Sequence, residues 1–73
     1  MEELLKIIKN VNDQIEVDTE NIMTDGILDS VELVELISLI EEHYKIEIDL
    51  DDIEPDNFDS CKKIINYIMS KEN

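Results

Sequence analysis

The fold turns on the stretch Asp25-Gly26-Ile27-Leu28-Asp29-Ser30-Val31-Glu32-Leu33-Val34-Glu35-Leu36. Its pattern changes partway along. Up to Asp29 it holds turn formers and no period. From Ser30 onward Leu33, Leu36, Ile37, Ile40 and Tyr44 recur three and four apart. That spacing lays one apolar stripe along an amphipathic helix, which is predicted to run from Ser30 to His43 or Tyr44. Two caps fit its start. With Ser30 at the N-cap, the serine hydroxyl is taken up by a backbone N–H. With Asp29 at the N-cap, Glu32 falls three residues on and completes a capping-box pair, which leaves Ser30 in the first turn with a free hydroxyl. The second arrangement is preferred because it satisfies the helix start without Ser30, although a shift of one residue is below what spacing alone resolves.

Working outward toward the N-terminus, periodicity fails from Glu16 to Asp29. Asp18, Thr19, Asn21, Thr24, Asp25 and the only glycine, Gly26, mark a long loop. Val17, Ile22, Ile27 and Leu28 are expected to pin it to the core. Loops of this length in small domains are often functional, and Gly26 is expected where the backbone needs a conformation other residues resist. Before the loop, Leu4, Ile7, Ile8, Val11 and Ile15 form a helical stripe, predicting a first helix from about Glu2 to Gln14. Toward the C-terminus the second helix should fade near Lys45. Ile46 and Ile48 then alternate in an extended connector, and a short helical turn is predicted around Leu50 to Ile53, with Asp49 as cap and Pro55 ending it. The last helix should start near Asp59 or Ser60, bury Cys61, Ile64, Ile65 and Ile68, and fray after Ser70. The expected architecture is all-α. It is a small four-helix bundle of three principal helices plus one short helix, in a single domain over residues 1–73.

Composition narrows the function. A chain of 73 residues has one small core and little room for an enclosed active site. Twenty Asp and Glu face six Lys, a formal net charge of −14. Nucleic acid and anionic membrane surfaces are repelled by that sign, so the expected partners are proteins with basic patches. The lone Cys61 lies at helical spacing among apolar residues and reads as a buried hydrophobe in a reducing compartment. Neither a signal segment nor a run of membrane length is seen, so a cytoplasmic location is expected; the chain is also expected to be a monomer.

On the second helix, about 100° per residue turns Val31, Glu35, Ser38, Leu39 and Glu42 away from the core, with Val34 and Glu41 on one flank. Apolar residues ringed by acids suit a docking surface; equally, isolated exposed apolars are ordinary and acids solvate any surface. A phosphate ester on Ser30 would lie near the positive end of the helix dipole.

Gly26-Ile27-Leu28-Asp29-Ser30 followed by Val31-Glu32-Leu33-Val34-Glu35-Leu36 resembles the modification site and second helix of acyl carrier proteins. The similarity spans almost the whole chain: the first helix, the long loop, the acidic second helix, the short third helix and the last helix with Ile64-Ile65-Asn66-Tyr67-Ile68. The resemblance implies that a phosphopantetheinyl transferase moves 4'-phosphopantetheine from coenzyme A onto Ser30, and that the carrier then presents acyl or aminoacyl groups to partner enzymes. It further implies docking of basic partner surfaces on Asp29, Glu35, Glu41 and Glu42, with Val31, Val34 and Leu39 as apolar contacts. Val31 stands where carriers of fatty-acid synthesis usually have leucine. Asp25-Gly26-Ile27-Leu28 and Asn57-Phe58-Asp59-Ser60 resemble D-alanyl carrier proteins instead, so an aminoacyl cargo stays open.

Other classes fare worse. His43 lies roughly 20 Å along the helix from Ser30, too far for a catalytic dyad. Counted from Asp49, the sixth and twelfth positions of a calcium loop are Glu54 and Ser60, where glycine and glutamate are needed. A non-catalytic acidic adaptor or nucleic-acid mimic fits the composition, but such a protein has no use for Ser30.

Overall fold

Four α-helices and one 3-10 turn build the computed structural model, which describes residues 2–72. They are α1 (Glu2–Val11), α2 (Ser30–Tyr44), the 3-10 turn (Leu50–Asp52), α3 (Pro55–Phe58) and α4 (Cys61–Lys71). There is no strand among the described residues. The all-helical bundle is the fold class that the periodicity predicts.

Helix α1 buries Leu4 and Ile8 completely, and Leu5, Ile7 and Val11 flank them. Glu2 and Glu3 in its first turn and Lys9 in its last complement the helix dipole. It stops at Val11, earlier than the predicted Gln14, for a local reason. The Asn12 Oδ1 accepts the Gln14 N–H (3.0 Å), a side-chain turn that competes with the next helical bond. Ile15 is still fully buried, but it reaches the core because the chain folds back after Asn12.

The stripe of α2 is buried as predicted, with Leu36, Ile37 and Ile40 inside and Leu33 and Tyr44 packed at its edge. The helix ends at Lys45, which adopts the left-handed conformation (φ 58°). Ile48 in the connector is buried, and its N–H is accepted by Glu41 Oε2 (2.9 Å).

Pro55 does more than terminate the preceding turn. It occupies the first position of α3, where its missing N–H costs nothing and its fixed φ favours the helix. The short helix therefore lies at Pro55–Phe58, after the 3-10 turn that falls where a short helix was expected. Phe58 is fully buried against Tyr67, with ring centroids 5.3 Å apart. Of the two candidate caps for α4, Ser60 is the cap, accepting the Lys63 N–H (3.2 Å). Cys61, Ile64, Tyr67 and Ile68 are buried, and Ile65 only half so. Burial pushes the Cys61 thiol above its ordinary pKa, as expected of an inert core cysteine.

The loop between α1 and α2 is pinned by Ile22 and Leu28, with Met23 and Ile27 half-buried. Val17 departs from expectation and stays about half exposed. Asn21 and Gly26 both take positive φ (57° and 71°). Nothing lies within 4 Å of the place a Cβ would occupy at Gly26, so backbone conformation rather than space calls for glycine there.

Candidate attachment site

The start of α2 is a complete capping box. Asp29, extended at φ −83° and ψ 176°, accepts the Glu32 N–H through Oδ1 (2.8 Å). Glu32 Oε1 accepts the Asp29 N–H in return (3.2 Å). Of the two caps the spacing allowed, Asp29 is the one formed. Ser30 is thus the first helical residue. It is exposed, and its hydroxyl makes no hydrogen bond among the described residues.

Two supports outside α2 hold this start in place. Asn12, just past the end of α1, donates from Nδ2 to the Ile27 carbonyl (3.0 Å) and to Glu32 Oε1 (3.3 Å). Its amide therefore braces both the loop and the capping glutamate. On the other side, Asp59 accepts from the backbone of Met23 and Thr24. Sequence reasoning missed both supports. Asn12 sits in the predicted first helix, and Asp59 is one of two adjacent candidate caps. Only the three-dimensional fold brings either residue to the loop.

Beside Ser30 lies a shallow apolar groove of about 400 Å³, lined by Ser30, Leu33, Val34, Ile37, Ser38, Leu50 and Ile53. Its far wall comes from the 3-10 turn and the residue after it. Leu50 is 86% exposed, an apolar side chain set among Asp49, Asp51 and Asp52. That isolation within an acidic run was the signal available in the sequence. The turn is held from behind by α4. Tyr67 donates its hydroxyl to Asp52 Oδ2 (2.7 Å), and Lys71 Nζ lies 3.6 Å from the same oxygen. Burial, helped by the Asp52 carboxylate, raises the Tyr67 pKa well above that of an ordinary phenol, so the hydroxyl stays a donor.

The outward residues of α2 divide into groups. Val31 (77% exposed) and Val34 (66%) stand out at the Ser30 end, and Glu35 and Glu42 are exposed. Leu39 is half-buried and leans toward α1, bordering a depression with Lys6, Ile7, Lys9 and Asn10. Glu41 is also half-buried, its carboxylate engaged by the Ile48 N–H. Glu41 and Glu42 lie about 17 Å or more along the axis from Ser30 at 1.5 Å per residue. The predicted contacts therefore form a cluster around Ser30 and a separate one at the far end of the helix.

The residues present suit a phosphopantetheine ester. The Ser30 hydroxyl is exposed and makes no hydrogen bond among the described residues, and the N–H groups of Ser30 and Val31 have no acceptor there. A negative phosphodiester is favoured by such groups at a helix start. The groove beside the serine is lined mostly by apolar side chains.

No curated protein matches the chain. Residues 1–68 match the family model described as "Phosphopantetheine attachment site", whose members carry a covalently bound 4'-phosphopantetheine group. The chain therefore belongs to the phosphopantetheine attachment site family of carrier domains.

Proposed function

We propose that Ser30 is the residue that receives 4'-phosphopantetheine and that the chain is a non-catalytic carrier of acyl or aminoacyl groups. The observation that carries this reading is the capping box: Asp29 and Glu32 satisfy the helix start and leave the Ser30 hydroxyl exposed and unbonded. In the loading step the Ser30 Oγ attacks the pantetheine-side phosphorus of coenzyme A. The new Oγ–P bond forms as the pyrophosphate P–O bond breaks, adenosine 3',5'-bisphosphate leaves, and a base of the transferase takes the serine proton. When bound, the group supplies a terminal thiol on which cargo is held as a thioester.

The chain's own part is to anchor and to be recognised. Val31, Val34 and Glu35 stand near the anchor and suit the first contact with a basic transferase or loading enzyme. Glu42 extends that charge along α2. Leu39 and Glu41, half-buried, contribute by holding α1 and the connector in place more than by direct contact. Aminoacyl cargo is supported by the resemblance of Asp25-Gly26-Ile27-Leu28 to D-alanyl carriers, and acyl cargo by the broader similarity to acyl carriers. A cytoplasmic location fits a single buried cysteine that behaves as a core hydrophobe. No helix among the described residues is long and apolar enough to cross a membrane.

The test is incubation with coenzyme A and a broad-specificity phosphopantetheinyl transferase, followed by intact-mass measurement. Gain of one phosphopantetheine, absent in Ser30→Ala, is expected. No gain with several active transferases would overturn the reading.

A further inference from the structure

Asp59 is the one buried carboxylate among the described residues (7% exposed), and attachment chemistry at Ser30 makes no use of it. Its carboxylate caps no helix either: Asp59 ends α3 through its backbone N–H, and Ser60 caps α4. Its oxygens converge instead on the loop. Oδ1 accepts the N–H groups of Met23 (2.8 Å) and Thr24 (2.9 Å), and Oδ2 accepts the Thr24 hydroxyl (2.6 Å). The Asp59 carbonyl accepts the Ile22 N–H (2.9 Å). Four bonds thus fasten Ile22–Thr24 to the junction of α3 and α4.

From this fastening the chain reaches the attachment serine through one closed turn. The Asp25 N–H donates to the Asn21 carbonyl (2.8 Å), the Gly26 N–H to the Met23 carbonyl (3.1 Å) and the Leu28 N–H to the Ile22 carbonyl (3.0 Å). Leu28 is buried and immediately precedes Asp29. Where Ile22–Thr24 is held, the turn delivers Asp29 to the N-cap. Where it is released, the segment from Asp25 to Leu28 is tied to the rest of the fold by the Asn12 bond to the Ile27 carbonyl and the packing of Ile27 and Leu28.

We propose that Asp59 is a positioning residue for loading: its carboxylate clamps Met23 and Thr24, and so fixes the turn that presents Ser30 to the transferase. The proposal rests on Ser30 being the attachment residue. Lys63 on α4 is the charged side chain that faces Asp59, and it favours the ionised form. Hydrogen bonds to a charged acceptor in a buried site are among the stronger ones available to a small fold.

The experiment compares phosphopantetheine transfer into wild type, Asp59→Ala, Asp59→Asn, Thr24→Val and the control Ile68→Val. Each is assayed at a temperature where circular dichroism shows it folded. Asp59→Ala should lower kcat/KM by about tenfold, the scale of losing bonds to a charged acceptor. Asp59→Asn, which keeps an oxygen for the two N–H groups, should recover most of the rate, and Thr24→Val should fall between. The amide resonances of Gly26 to Ser30 should move in Asp59→Ala and stay in place in Ile68→Val. If Asp59→Ala does not fold, Asp59→Asn and Thr24→Val carry the comparison. An unchanged rate in folded Asp59→Ala, or an equal loss in Ile68→Val at matched stability, removes the clamp while leaving the carrier reading intact. Wild type that gains no mass at all removes the carrier reading, and the clamp with it.

Discussion

Asp29 accepts the Glu32 N–H, and that bond decides what the neighbouring hydroxyl is free to do. A serine at the N-cap would have spent its oxygen on the helix; a serine one residue later keeps it. Asp29→Ala should therefore destabilise the protein by about 1 kcal/mol, the usual worth of an N-cap side chain, measurable by urea unfolding. At Asp59, burial opposes ionisation, but the hydrogen bonds from Thr24 and Met23, with Lys63 nearby, outweigh it and hold the pKa below the ordinary carboxylate value. A depressed folded-state pKa contributes stability that is full above the unfolded value, about pH 4, and is lost as pH falls below it. The stability gap between wild type and Asp59→Asn should shrink as pH is lowered below about 4. A gap that stays constant as pH falls well below about 4 would contradict this account of Asp59.

Helix α2 carries two kinds of acidic residue, and their roles differ by burial rather than by type. Glu35 is exposed and bonded to nothing among the described residues, whereas Glu41 holds the Ile48 N–H. Glu35→Lys should leave the melting temperature nearly unchanged and raise the transferase KM about threefold or more, as reversal of a rim charge does. Glu41→Ala should do the converse, costing about 1 kcal/mol for a part-buried bond with little effect on KM. Steady-state transfer kinetics beside thermal melts separate the two. The contrast also shows how far the sequence carries. The stripes of α1, α2 and α4 were legible because helical spacing forces Leu4, Leu36 or Ile64 into the same interior. The capping box at Asp29 and Glu32 was legible because its partners are three residues apart. The end of α1 at Val11, the helical start at Pro55 and the roles of Asn12 and Asp59 were not. The first two turn on local alternatives, the Asn12–Gln14 side-chain turn and a proline that opens a helix as readily as it ends one, and the last two on partners 15 to 36 residues away in the chain. The groove wall at Leu50 falls in the same class, since nothing local places that residue opposite Val34.

The whole molecule, only 29 × 25 × 20 Å, holds a net charge of −14. Its lysines are partly committed to local ion pairs: Lys9 to Glu16 (2.7 Å), and Lys71 between Asp49 (3.7 Å) and Asp52 (3.6 Å). His43 meets Glu3 at the end of α2 (2.5 Å). These pairs are solvent-accessible and weak, whereas repulsion among the remaining acids acts across the entire surface. Raising salt from low ionic strength should therefore raise the melting temperature, because screening weakens the summed repulsion more than it weakens a few exposed pairs. A melting temperature that falls with added salt would show that the pairs dominate. Of the exposed large apolar residues Val17, Val31, Val34, Leu50 and Met69, Val34 and Leu50 line the groove beside Ser30, and Val31 follows Ser30 on α2.

The central claim is that Ser30, and no other exposed serine, receives the phosphopantetheine ester. Ser38 also lines the groove and Ser70 is exposed on α4, so position can be tested against both. The direct measurement is peptide fragmentation of the transferase-treated protein, repeated on Ser30→Ala and Ser38→Ala. The account predicts the modification on Ser30 alone, retained in Ser38→Ala and lost in Ser30→Ala. Modification found on Ser38 or Ser70, or persisting in Ser30→Ala, would contradict it.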